Sequence, residues 1–184
     1  SGVMGALWGL IPGYLRAKWN VNEIIVSLLM SFIAIRITDY LVGGPLKGDR
    51  GFPATNSLPD AATIPTFGEV FTILEAIDLH IGSILVVVII IAASIMMGRT
   101  SLGFQIRFVG ENPLAAEQGG IERSKIIILT MVMGGIIAGI AGIIEIAGVQ
   151  NNLQSGFSPD YGFTAIPIAL LGRNGPSRVL LASL

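Results

Sequence analysis

Three charged residues stand inside the long apolar runs of this chain: Arg36, Asp39 and Glu145. An arginine near the centre of a membrane helix costs roughly 2.5–3.5 kcal/mol on insertion scales, so Arg36 needs a partner or water. Asp39, three positions on, shares its helix face. The pair either satisfies itself or lines a wet cavity and touches solute. Glu145 precedes Gln150, Asn151, Asn152 and Gln154, a polar set suited either to the outer mouth of a pathway or to a watered interface. Bond-making chemistry has little to work with. There is no cysteine and one histidine, His80, which excludes disulfides, thiolate sites, a histidine metal cluster and a catalytic triad; His80 is expected to be an interfacial residue. Neither Arg36 nor Asp39 is a nucleophile. No G-x-x-x-x-G-K-[S/T] loop exists for ATP, since "GGPLKGD" lacks the spacing. Paired intramembrane carboxylates of a proton relay are absent too.

The elements that must position these residues are long and oily. Of 184 residues, 52% are hydrophobic and 12% charged, with a mean hydropathy of +0.76, a composition that points to the membrane. A net charge of −1 with no basic run excludes the electrostatic footprint of a nucleic-acid binder. About 20 apolar residues of helix cross a bilayer. The sequence predicts an all-α, polytopic helical bundle with crossings at about 2–15, 24–43, 81–97 and 126–149. From about 163 it predicts either a half-helix or a crossing that resumes after the "GRNGPS" break. Both ends fall within apolar runs and no initiator methionine or signal-peptide n-region is present, so the expectation is one transmembrane domain, a fragment of a larger protein truncated at both ends, in which the crossings counted are a lower bound.

Basic residues orient the bundle, because short loops rich in Lys and Arg stay inside. Arg16 and Lys18 follow the first run, and Arg99, Arg107, Arg123 and Lys125 flank or occupy 98–125, placing both inside. Loop 44–80, with Asp49, Asp60, Glu69, Glu75 and Asp78 beside Lys47 and Arg50, then lies outside. Its Pro45, Pro53, Pro59 and Pro65 favour extended backbone, as an ordered lid, a docking surface or a connector. Asn20 and Glu23 have capping-box spacing for the second helix. Gly5, Gly9 and Gly13, Gly135 and Gly139, and Ala138 and Gly142 recur at four-residue spacing, which lets helices approach closely.

The segment from Thr100 to Ile121, "TSLGFQIRFVGENPLAAEQGGI", is polar and glycine-punctuated between two apolar runs. Asn112–Pro113 is a helix start, alanines give that helix a slim face, and Gly119–Gly120 stops it. A short helix of this kind can seat in a groove of a partner.

The same segment resembles the cytoplasmic coupling segment of ABC-importer permeases of the simple-sugar, nucleoside and branched-chain amino-acid superfamily. Gly103, Arg107, Gly110, Asn112, Pro113, Ala115, Ala116, Gly120 and Ile121 fit its pattern, along with Leu102, Phe104 and Val109. "GALWGLIPGYLRAKWNVNEII" and "GFSPDYGFTAIPIALLGRNGP" resemble further family segments; the latter and the "GPLKG" outer loop are nearest the nucleoside-type members. Phe108, Glu117, Thr164 and Pro167 depart from the usual residues. The resemblance implies a multi-pass subunit of a bacterial plasma membrane that binds no cofactor. Separate ABC ATPase subunits would use the ATP, a second permease, identical or related, would complete the pathway, and an external binding protein would deliver a small-molecule solute, a nucleoside or simple sugar ahead of a branched-chain amino acid. In this scheme Arg107, Asn112 and Pro113 position the coupling helix, Ala115 and Ala116 make the close contact, and Arg36, Asp39, Glu145, Gln150 and Asn151 are candidate pathway residues. The competing expectation is a stand-alone channel or secondary transporter, which would work without a nucleotide-using partner.

Overall fold

The structure is a computed structural model that describes residues 1–48, 53–59, 63–64, 81–157, 161–173 and 175–183. His80, Asp49, Arg50, Asp60, Pro65, Glu69, Glu75 and Asp78, each given a place by the sequence, lie outside the described residues. The regular elements are all helical: α1 (Gly2–Trp19), α2 (Glu23–Gly43), α3 (Ile81–Arg99), α4 (Ser101–Glu111), α5 (Pro113–Gln118), α6 (Arg123–Glu145), α7 (Tyr161–Leu171) and α8 (Pro176–Ser183). Among the described residues, three helices are long and apolar enough to cross a membrane: Glu23–Gly43, Gly82–Arg99 and Arg123–Gln150. The fold is that of a polytopic helical membrane protein.

The centre of the bundle is the seam between α1 and α6, which pack along their lengths. Backbone meets backbone there. A Cβ built on Gly5 would lie 2.1 Å from the carbonyl oxygen of Gly135, and one on Gly135 would lie 2.2 Å from that of Gly5, so no other residue fits at this crossing. Gly9 sits in the same way on Met131, and Gly139 on Ser1. Gly142, by contrast, has nothing within 4 Å of its Cβ direction and Ala138 is exposed, so this expected pair makes no close backbone approach of the kind seen at Gly5 and Gly135. Helices α2 and α3 remain largely exposed; α3 packs chiefly on α4 and α8.

The turn between α1 and α2 corrects the expected cap. Asn22, not Asn20, caps α2, its Oδ1 accepting from Ile24 N at 2.9 Å. Asn20 is taken up in ending α1: it adopts a left-handed conformation with φ 51° and donates its N–H to Arg16 O, a conformation asparagine tolerates better than most residues. Glu23 is freed from capping and pairs with Arg16, Nε to Oε2 at 3.1 Å. Near the other end of the chain, α7 is 11 residues long, about 16 Å of helix, too short to cross. Arg173 then turns at φ 48° and α8 packs back against α7 and α3. The region from 161 is thus broken between α7 and α8, at the place the "GRNGPS" segment was expected to interrupt it.

Candidate coupling site and outer mouth

At one end of the bundle, α4 and α5 join α3 to α6. The corner after α3 closes tightly. Thr100 caps α4, accepting from Gly103 N at 3.1 Å while its hydroxyl donates to Met96 O at 2.7 Å. Gly103 packs so closely that a Cβ would sit 2.2 Å from Met96 O. Helix α4 runs as far as Glu111. Asn112 then ends α4, donating its N–H to Phe108 O at 3.0 Å, and starts α5, its side chain accepting from Ala115 N at 3.1 Å. Pro113 occupies the first turn of α5, where a missing N–H costs nothing.

The end of α5 is a complete Schellman motif. Ile121 N donates to Ala116 O at 2.9 Å and Gly120 N to Glu117 O at 3.0 Å, with Gly120 at φ 80°. Ile121 folds back onto a small core of Val109, Ala116 and Ile126, joined by Ile106 and Phe108. Ala116 is 0% exposed. Its slim side chain seats α5 against α4 and α6 and is out of reach of any other molecule, which reassigns it from the expected contact surface. Ala115 is half-buried, whereas Leu114 is 72% exposed and Glu117 and Gln118 are open. Leu114 is the residue that sequence reasoning passed over; its signal was a large apolar side chain on a short polar segment, two positions from the buried alanine. Arg107 and Gly110 are exposed on α4, while Phe104 and Phe108 stack at 5.5 Å.

The opposite end gathers the remaining candidates. Helix α6 does not stop at Glu145 but widens into a π-helical turn, Ile146–Gln150, closed by Asn151 N donating to Ile146 O at 2.8 Å. Widened turns of this kind recur at functional sites. Residues 53–59 and 63–64 form a strap stitched to this turn and to the chain after it: Ile64 N donates to Ala147 O, Leu58 N to Asn151 O and Thr55 N to Leu153 O, each at 2.8 Å. Gln150 Nε2 donates to Glu145 Oε1 at 3.2 Å and to Phe157 O at 2.9 Å. Its Oε1 is buried without a donor.

Asp39 belongs to this end as well, accepting a hydrogen bond from the Ser155 hydroxyl. Its contact with Arg36 is longer, Nη1 to Oδ2 at 4.0 Å, and the Arg36 side chain is 86% exposed. The expected ion pair is therefore present only at the limit of contact, where exposed pairs contribute little. Arg36 stands on an open face of α2 between Phe32 and Tyr40. Glu145, Gln150 and Asn151 thus stand together beside the strap, Asp39 reaches the same end through Ser155, and Arg36 stands on its own face of α2.

No solved structure matches this chain. Among curated proteins, it is 46% identical over 99% of its length to a glucose ABC transporter permease protein of Haloferax volcanii. It is 34% identical over 97% of its length to a guanosine ABC transporter permease protein of Bacillus subtilis, and 32% identical over 99% to a nucleoside ABC transporter permease protein of Lactococcus lactis. It covers 49%, 51% and 51% of those three proteins, so the chain spans about half the length of the relatives it matches. The family model described as branched-chain amino acid transport system / permease component matches residues 1–184. Apolar helices that suit a bilayer, a short capped helix between two of them and a match over the whole length agree, and the chain belongs to this family of ABC transporter permeases.

Proposed function

We propose that this chain is the pathway-forming part of an importer of the plasma membrane, driven by ATP hydrolysed on separate subunits. The observation that carries the reading is the build of α5. It is capped by Asn112, closed at Gly120, anchored by a fully buried Ala116, and presents Leu114 outward between two apolar helices. A rigid peg with one exposed apolar side chain can receive a push from an ATPase and pass it into the helices on either side. Arg107, Asn112 and Pro113 position the peg, and Leu114 and Ala115 make the contact.

The solute is a sugar or a sugar-bearing nucleoside. Glucose, guanosine and nucleosides appear in the names of the relatives, and all carry a ring with several hydroxyl donors. Glu145 and the undonated Oε1 of Gln150 are acceptors at the outer end, where such hydroxyls would meet them once the mouth opens. An external binding protein delivers the solute, and a second permease, identical or related, completes the pathway.

The test replaces Leu114 and Ala115 by glutamate in the transporter assembled with its ATPase. Uptake into vesicles is expected to fall at least tenfold, the effect of about 1.4 kcal/mol, while membrane insertion and basal ATP hydrolysis persist. Unchanged uptake would remove the coupling role from α5, and uptake by the permease alone, without nucleotide, would replace the whole reading with that of a stand-alone transporter.

A further inference from the structure

The ends of α1 and α2 meet α4, α5 and α6 around a cavity of about 390 Å³, within the range of small-ligand clefts, roughly 300–1,000 Å³. Its lining is of two kinds. Val109, Ile126 and Met131 are apolar, and Arg16, Glu23 and Arg123 are charged. Glu23 neutralises Arg16 at 3.1 Å, and the neighbouring Lys125 is paired with Glu122 at 2.7 Å. Arg123 has no carboxylate within ion-pair distance among the described residues, and its guanidinium donates only to Asn20 Oδ1, at 3.5 Å. It also opens α6, so the positive end of that helix dipole adds to its charge. The cavity therefore holds one uncompensated positive charge beside an apolar wall.

We propose that it holds the headgroup of an anionic phospholipid, with the phosphate on Arg123 and the start of an acyl chain along Ile126 and Met131. The proposal rests on reading this end as the inner membrane surface. Lys18 lying 5.7 Å from the centroid of the exposed Trp19 ring, at the end of α1, is the aromatic–basic combination that sits at headgroup level. Basic pockets between helix ends on the inner side are the places where acidic headgroups bind. A small soluble anion would leave the apolar wall unused. A protein partner is better served by Leu114 and Glu117, which are exposed and stand outside the cavity lining. Gly110 and Pro113 form part of the wall, so the lipid touches the segment proposed to couple ATP use to transport, and uptake becomes dependent on anionic lipid.

The test uses the full permease assembled with its ATPase subunits, purified in mild detergent with equal phosphatidylglycerol and phosphatidylcholine, and weighed by native mass spectrometry. Phosphatidylglycerol is expected to be retained in preference. Arg123→Gln should lower that retention roughly fivefold, the effect of one basic residue near a charged membrane surface, and Lys125→Gln should leave it unchanged. Gly110→Leu, which adds a side chain where nothing lies within 4 Å of the Cβ direction, should lower retention while keeping every charge. Equal retention of the two lipids overturns the proposal. So does an equal loss in Arg123→Gln and Lys125→Gln, which would mean diffuse surface charge, or release of the ATPase from Arg123→Gln with lipid retention intact, which would assign the cavity to a protein carboxylate. A transporter that imports solute but retains no phosphatidylglycerol sinks the lipid site alone; one that retains it but imports nothing sinks the transport reading alone.

Discussion

Ala116 and Leu114 sit two residues apart on a six-residue helix and do opposite things. The first is sealed between Val109 and Ile126, and the second stands in the open. Ala116→Leu is therefore expected to lower stability by about 1–3 kcal/mol, as overpacking of a filled core does, measured as a lower melting temperature of the purified complex. Ala115→Leu, at a half-buried position, should melt nearly as the parent does. The start and stop of α5 were legible in the sequence, because Asn-Pro and Gly-Gly act through their own backbones. Which alanine is buried was not, because that depends on Ile126, which lies ten positions away. The same holds for Asn20 and Asn22. Either can cap a helix, and the choice was settled by the left-handed residue that α1 needs at its end.

At the scale of elements, the glycine spacing of α1 and α6 marked the seam, and the structure pairs Gly5 with Gly135 in backbone contact. Gly5→Ala is expected to force the helices apart and to lower the yield of folded protein several-fold, whereas Gly142→Ala, facing open space, should be neutral; size-exclusion profiles of the two variants decide this. Two features escaped local pattern reading. Helix α4 was read only as part of a polar segment, since its Phe104–Phe108 stack and the burial of Val109 become apolar signals only when α6 lies alongside. The π-helical turn after Glu145 escaped because its opened carbonyl at Ala147 takes its donor from Ile64, more than 80 positions earlier.

For the molecule as a whole, the inside and outside proposed for the spans rest on charge, and the chain itself makes this testable. It contains no cysteine, so single replacements report their own side of the membrane without background. Ser57→Cys in the strap should react with an impermeant maleimide added to intact cells, and Glu117→Cys on α5 only after the membrane is opened. The reverse order would put α5 on the far side from any ATPase. Composition was enough to read the membrane class, and the apolar runs to place the three long apolar helices, whereas the run at 2–15 forms α1, which is not among those three. Composition could not show that α2 and α3 leave most of their surface uncovered, because an all-round apolar helix looks the same whether lipid or protein surrounds it.

The seam between α1 and α6 has one more consequence. Where two main chains touch with no side chains between them, there is no compliant layer to absorb a small displacement. A nudge delivered beside Ile126 is therefore expected to travel along α6 with little damping, and the strap, fastened near its far end by the bond from Ile64 to Ala147 O, to move with it.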